Sequence, residues 1–323
     1  MNDDNASVQV KEEERLAAVA AQIERAVVGK ASVVKLLLTA LVTGGHVLLV
    51  DVPGVAKTRL ARSLALSLDL SFARIQATPD LLPGDVMGVS VYDPQNGEFR
   101  YRPGPVLNQL VLVDEVNRAT PRTQSALLES MEEHQVTVDG VSHQIPSPFM
   151  VLATQNPIEM EGTYPLPEAQ LDRFLLATPV GYPELADEME MVSRLGKDEP
   201  MDRFEALAGP DDVLRWRRAA LKVHLSEPVQ RYLVEVVRQT RALPRIQLGA
   251  SPRATLWFSR AVRVYAWLEG RTYVLPDDVK ALAGPVLAHR LLLSADAEVL
   301  GRSGSSVVEE VLAAVPVPTE QIG

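Results

Sequence analysis

Cysteine does not occur in this 323-residue chain, so disulfides and thiolate metal sites are both ruled out. Histidine is sparse, and its five copies (positions 46, 134, 143, 224 and 289) fall without ligand spacing, which argues against a zinc site. No apolar run comes near the ~20 residues that a membrane-spanning helix needs. The opening Met1-Asn-Asp-Asp-Asn lacks the basic start of a secretory signal, so a cytoplasmic, non-membrane protein is expected. Basic charge is in deficit: 32 Lys and Arg face 42 Asp and Glu, a formal net charge of −10. That balance speaks against broad, sequence-independent nucleic-acid binding, which depends on clustered cations. Arg100, Arg102, Arg118 and Arg122 lie close together in sequence and leave room for a local basic pore. Internal repeats and low-complexity stretches are also missing.

What is present begins with a core: 46% of the residues are hydrophobic, and the length suits one large α/β domain plus a smaller one. The apolar run His46-Val-Leu-Leu-Val50 predicts a buried strand, and Arg59 to Leu68 has helical periodicity. Between them stands Asp51-Val52-Pro53-Gly54-Val55-Ala56-Lys57-Thr58. Strand, tight turn, Lys-Thr and helix form the context of a phosphate-binding loop, with backbone N–H groups and a helix N-terminus aimed at a phosphate chain. Lys57 would contact the outer phosphates and the Thr58 hydroxyl would ligate magnesium. Asp51 and Ala56 stand where the pattern G-x-x-x-x-G-K-[ST] has its outer glycines. If position 56 needs φ > 0, alanine there costs roughly 1 kcal/mol or more.

Two further strand ends carry polar groups. Leu110-Val-Leu-Val113 runs into Asp114 and Glu115: Asp114 would hold magnesium through bound water, and Glu115 would polarise the attacking water. The plainer alternative is a buried strand with an acidic cap for the helix that Thr120-Pro121 announces. A third strand, Pro148 to Thr154, ends in Gln155-Asn156-Pro157, where the Asn156 amide could bond both the terminal phosphate and the attacking water. Three such endings in this order make a nucleotide hydrolase the better account.

The chain resembles the MoxR family of AAA+ ATPases over about Val27 to Leu293. The resemblance is carried by Arg74-Ile-Gln-Ala-Thr-Pro-Asp-Leu-Leu-Pro-Gly-Asp85, Phe99-Arg-Tyr-Arg-Pro-Gly-Pro105, Asp114-Glu-Val-Asn-Arg-Ala119, Thr123 to Met131, Ala153 to Glu159 and Gly162 to Phe174. It implies an AAA+ P-loop NTPase fold: a parallel sheet flanked by helices, then a smaller C-terminal all-helical lid domain. It implies ATP and Mg2+ as ligands, with nucleotide contacts from Val28 and Gly29 beside the adenine, from the loop Asp51 to Thr58, from Arg59 and from Asp114. Magnesium falls to Thr58 and Asp114. Arg173, in Leu171-Asp-Arg-Phe174, resembles the arginine finger that completes a neighbouring subunit's site; a local salt bridge to Asp172 or Glu168 is the alternative. Arg253 resembles the sensor-2 arginine, acting in its own subunit or a neighbour's. With Lys57, Glu115 and Asn156, these two arginines make up the catalytic set. Arg118 is a weaker interface candidate.

The same resemblance implies a homo-oligomeric ring, expected to be hexameric, that remodels or activates a client protein. A partner with a von Willebrand factor A domain is implied, and the client could be membrane-associated. The alternatives are a nucleic-acid or chelatase-type AAA+ motor, or a nucleotide-binding scaffold with little turnover.

Along the chain, residues 1–14 are polar and expected to be a flexible lead-in, 15–180 the nucleotide-binding core and 181–323 the lid, with Thr178-Pro-Val-Gly-Tyr-Pro183 as linker. Hairpins are predicted around Asn96-Gly97 and Asp139-Gly140; in related AAA+ rings such inserts face the pore. Helices are predicted over 211–223, 227–243, 252–269, 276–293 and 306–314, with Ser251-Pro252 and Leu275-Pro-Asp-Asp278 as starts. Trp257, Phe258, Tyr265 and Trp267 read as core or interface, not as a ligand cage.

Overall fold

Near-continuous runs of Val, Leu and Met bury strands on both faces, the pattern of a sheet sandwiched between helices. The computed structural model, which describes residues 2–51, 54–156, 162–194 and 200–318, bears this out. In chain order the elements begin with helices α1 (Asn2–Ala26) and α2 (Ala31–Thr43), strand β1 (His46–Val50), α3 (Lys57–Ser67), β2 (Phe72–Gln76) and α4 (Pro83–Met87). A hairpin of β3 (Gly88–Asp93) and β4 (Glu98–Pro103) follows, then β5 (Leu110–Asp114), α5 (Pro121–Glu133) and a second hairpin, β6 (Gln135–Val138) with β7 (Val141–Gln144). Next come β8 (Met150–Gln155), α6 (Glu168–Leu171), β9 (Phe174–Thr178), α7 (Leu185–Ser193), α8 (Pro210–Ala220) and α9 (Glu227–Gln239). The chain finishes with β10 (Ile246–Leu248), α10 (Pro252–Leu268), α11 (Pro276–Leu287), β11 (Leu292–Leu293), α12 (Ala295–Val299) and α13 (Gly304–Ala314). The α1 backbone is helical through the stretch expected as a lead-in.

The five-stranded sheet has the order β2-β5-β8-β1-β9. Its pairings are parallel: Val47↔Leu152 to Val50↔Gln155, Leu110↔Met150 to Val113↔Ala153, and Phe72↔Leu110 to Gln76↔Asp114. In-register parallel strands bring their C-terminal ends to one edge, so Val50, Gln76, Asp114 and Gln155 all finish there. The strand ending in Asn156 lies between the strand feeding the Lys-Thr loop and the strand ending in the two acids.

By spatial contact the chain falls into two compact units: residues 1–166 with 178–214, and 167–177 with 215–323. The boundary near residue 180 read from the linker is a division along the sequence. In the first unit both hairpins form as predicted, with positive φ at Gly97, Asp139 and Gly140. The rings of Tyr101 and His143 stack at 3.9 Å and join them.

In the second unit α9, α10, α11 and α13 bury Tyr232, Leu233, Phe258, Val262, Leu282 and Val308. Ser251 caps α10 by accepting from the Ala254 N–H at 3.2 Å. Asp278 does the same for α11, accepting from the Leu275 N–H at 2.7 Å. Phe258 and Trp267 are buried while Trp257 and Tyr265 are half-buried, so the aromatics are core and flank. Three helices end sooner than expected. α8 stops at Ala220 rather than 223 and α9 at Gln239 rather than 243, each running into a turn. α11 stops at Leu287 rather than 293, because Leu292–Leu293 pairs with Ile246–Leu248 as a short antiparallel ribbon.

Candidate nucleotide-binding site

The Lys-Thr turn is built as its sequence requires. Gly54 has φ +89° and Ala56 sits in the left-handed region at φ 61°, ψ 24°. Lys57 and Thr58 open α3, so the first N–H groups of an 11-residue helix lack intrahelical partners where the turn ends. Val52 and Pro53 lie outside the described residues. Gly54 is exposed, Val55 buried, and Thr58 and Arg59 half-buried. Lys57 Nζ donates to the Asp51 carbonyl at 2.9 Å. Burial pushes the Lys57 pKa down, and the negative charges of Asp51, Asp114 and Glu115 push it back up. Lys57 thus lies within electrostatic reach of both strand-end acids.

Asp51 explains its own departure from glycine. Its side-chain Oδ2 accepts from the Gly181 N–H at 2.5 Å. Lys30 Nζ donates to the carbonyls of Gly181 and Tyr182, both at 2.9 Å. The Gly181 peptide therefore ties the start of the phosphate loop to the Val28-Gly29 connection between α1 and α2. Gly29 has φ +73° and packs against the Asp187 carboxylate, where any Cβ would clash. The Val28-Gly29 connection and the loop are thereby held in one frame.

The acids at the end of β5 are also held. Asp114 is buried; its Oδ2 accepts from Arg74 Nε at 2.6 Å and its Oδ1 from the Thr154 hydroxyl at 3.4 Å. Glu115 adopts φ 55°, ψ 49°, a left-handed conformation that an L side chain rarely takes. Its N–H donates to Thr154 Oγ1 at 2.9 Å. Its Oε2 accepts from Arg118 at 3.0 Å and from Gln76 at 3.4 Å. Arg118, suggested by sequence as an interface arginine, is thus paired with Glu115 in its own chain. Asn156 is buried at the end of β8, and Pro157 beyond it lies outside the described residues.

The donor set suits magnesium. Thr58 and Asp114 offer hard oxygen atoms, and among the described residues no cluster of three or more His, Cys, Asp or Glu could hold a metal. Mg2+ normally takes one or two protein oxygens together with phosphates and water, not an all-protein cage.

The other two candidates, Arg173 and Arg253, both belong to the second unit. Arg173 follows α6 and is half-buried; Arg253 is exposed in the first turn of α10. Their neighbours Asp172 and Ser251 are bonded to each other at 3.0 Å. Sequence reasoning missed Arg74, Gln76 and Thr154, which hold the two acids, and Arg290, which holds Asp172. For Arg74 and Gln76 a signal existed, since polar residues two apart on an otherwise apolar strand share one face. For Thr154 and Arg290 none did.

The chain is similar to known proteins over most of its length. Residues 46–176 match the ATPase family associated with various cellular activities (AAA), and residues 238–311 match the AAA lid domain. The chain is 48% identical over 299 residues to YeaC, an uncharacterized protein of Bacillus subtilis (strain 168), covering 93% of each. It is 42% identical over 306 residues to the chaperone MoxR1 of Mycobacterium tuberculosis, covering 92% of this chain and 81% of that one. A solved structure from Cytophaga hutchinsonii, provisionally described as an ATPase, superposes with a TM-score of 0.91 at 38% identity, over 99% of this chain and 100% of that one.

Proposed function

The chain belongs to the MoxR family of AAA+ ATPases, and from that premise we propose that it hydrolyses ATP with magnesium in a ring-shaped homo-oligomer that remodels or activates a client protein. Residues 15–180 act as the nucleotide-binding core and 181–323 as the lid. The observation that carries the reading is the shared sheet edge at which Lys57, Asp114, Glu115 and Asn156 stand, ordered by strands β1, β8 and β5.

The roles follow from chemistry. Phosphoryl transfer needs positioning and charge stabilisation more than covalent help. The loop N–H groups and Lys57 bind the β- and γ-phosphates, and Val28 and Gly29 flank the adenine. Thr58 and Asp114 hold magnesium, which when bound neutralises charge on the phosphates. Glu115 orients the attacking water and accepts its proton, exchanging its contact with Arg118 to do so. Asn156 bonds the water and the terminal phosphate. Arg173 enters the neighbouring subunit's site, where removal of such an arginine costs roughly 10³–10⁵ in rate. Arg253 reports phosphate occupancy to the lid.

A von Willebrand factor A-domain partner and a hexameric ring, both implied by the family, complete the proposal, with the cytoplasm as its place of action. Among the described residues no helix is long and apolar enough to cross a membrane. The experiment is magnesium-dependent ATP turnover measured over a range of protein concentrations, alongside Glu115→Gln. Specific activity that rises with concentration, with binding retained and turnover down by at least roughly 10²-fold in the variant, is the expected result. Tight ATP binding without turnover at any concentration would favour the scaffold reading, or an enzyme that waits for its partner.

A further inference from the structure

Arg290 is the most deeply buried arginine whose contacts surround a candidate catalytic residue. It ends the single turn that follows α11, and its side chain is 1% exposed. A buried guanidinium is expensive unless its charge is paired and its donors are all taken. Here Nε donates to Asp172 Oδ1 at 2.8 Å. Nη2 donates to the Asp172 carbonyl at 3.2 Å and the Phe174 carbonyl at 2.5 Å. Nη1 reaches the Leu175 carbonyl at 3.2 Å and also the Val286 carbonyl. The carbonyls on either side of Arg173 are therefore held by one nitrogen, which fixes the direction of the Arg173 Cα–Cβ bond.

The other oxygen of the same carboxylate is also engaged. Asp172 Oδ2 accepts from Ser251 Oγ at 3.0 Å, and Ser251 is the N-cap of α10, whose second residue is Arg253. A planar five-donor fork can hold a carboxylate and several carbonyls at once; the ammonium of lysine cannot reproduce that geometry.

We infer that Asp172, clamped by Arg290 and bonded to Ser251, is a positioning residue that sets the aim of Arg173 and binds it mechanically to the helix start bearing Arg253. The two arginines then move as one body, so a change sensed at Arg253 is delivered at Arg173 without loss in a flexible loop. This rests on the reading of Arg173 as the group completing a neighbouring site.

The test compares kcat, KM and nucleotide affinity of full-length wild type, Arg173→Ala, Asp172→Asn, Ser251→Ala and the double variant Asp172→Asn/Arg173→Ala, each verified folded by its melting transition. Asp172→Asn keeps the size of the side chain but halves the clamp. It is expected to lower kcat by about tenfold or more, as misplacement of a catalytic group does, with nucleotide affinity unchanged. The double variant should be no slower than Arg173→Ala alone, because Asp172 acts through Arg173. Ser251→Ala leaves the Arg290–Asp172 pair in place and gives a smaller fall. Losses that multiply in the double variant, or wild-type kcat in Asp172→Asn, overturn the inference while leaving the finger intact. Wild-type turnover in Arg173→Ala removes the finger reading and the inference with it.

Discussion

Two residues of the phosphate loop depart from glycine, and their structures give the departures opposite energetic signs. Ala56 occupies φ 61°, where an L side chain is crowded. Glycine removes that strain at some cost in chain entropy, so Ala56→Gly is expected to raise unfolding free energy by about 0.5–1 kcal/mol in denaturant titration, with turnover kept. Asp51→Gly, which would restore the other consensus glycine, should do the reverse. It strips the Gly181 N–H of its acceptor, a loss of about 1–3 kcal/mol when a half-buried donor is left unmade. The same titration checks it, and nucleotide affinity should fall because the loop loses its tie to the Val28-Gly29 segment. Sequence showed where both departures lie and suggested the strain at 56. It could not show the purpose of Asp51, because the partner stands 130 positions away and is a backbone N–H.

At the scale of elements, one imidazole adds side-chain bonds from β1 to both β8 and α5. His46 Nδ1 accepts from the Val151 N–H of β8 at 3.0 Å, which fixes the tautomer, and Nε2–H donates to the Met131 carbonyl of α5 at 3.1 Å. Burial, with a smaller contribution from His134, lowers its pKa from 6.5 to about 4, against a hydrogen bond to Met131 that raises it. The unfolded chain therefore binds a proton that the folded chain refuses, and stability falls as pH drops from 6.5 towards about 4. The shift corresponds to about 3 kcal/mol at full effect. His289, also pushed down by burial, adds in the same direction. Unfolding free energies measured across that window should slope less steeply in His46→Gln than in wild type, and equal slopes would refute the assignment.

Legibility differs among the elements for the same physical reason. The predicted strands, the Asn96-Gly97 and Asp139-Gly140 turns and the Ser251-Pro252 start are specified by local chemistry, and all appear. The β10–β11 ribbon and the end of α11 depend on pairing between residues 246–248 and 292–293, which leaves no local trace. The Arg290–Asp172 pair spans 118 positions and is equally silent.

For the whole molecule, the catalytic candidates are divided between two compact units: Lys57, Glu115 and Asn156 in the first, Arg173 and Arg253 in the second. A trans-acting finger turns that division into a test that single variants cannot give. Lys57→Ala should be inactive because it cannot hold the phosphates, and Arg173→Ala nearly so because it cannot complete a neighbour's site. Each variant keeps what the other lacks. Mixed and allowed to exchange subunits, a productive site needs an Arg173→Ala subunit that binds ATP beside a Lys57→Ala subunit that supplies the arginine. In a randomly assembled equimolar ring about one quarter of the interfaces have that arrangement, so the mixture should regain about one quarter of wild-type specific activity. An arginine acting within its own subunit gives no recovery at any ratio, because no single chain then carries both groups. A recovery that peaks at the equimolar ratio and vanishes on dilution would establish both the shared site and the assembly that makes it.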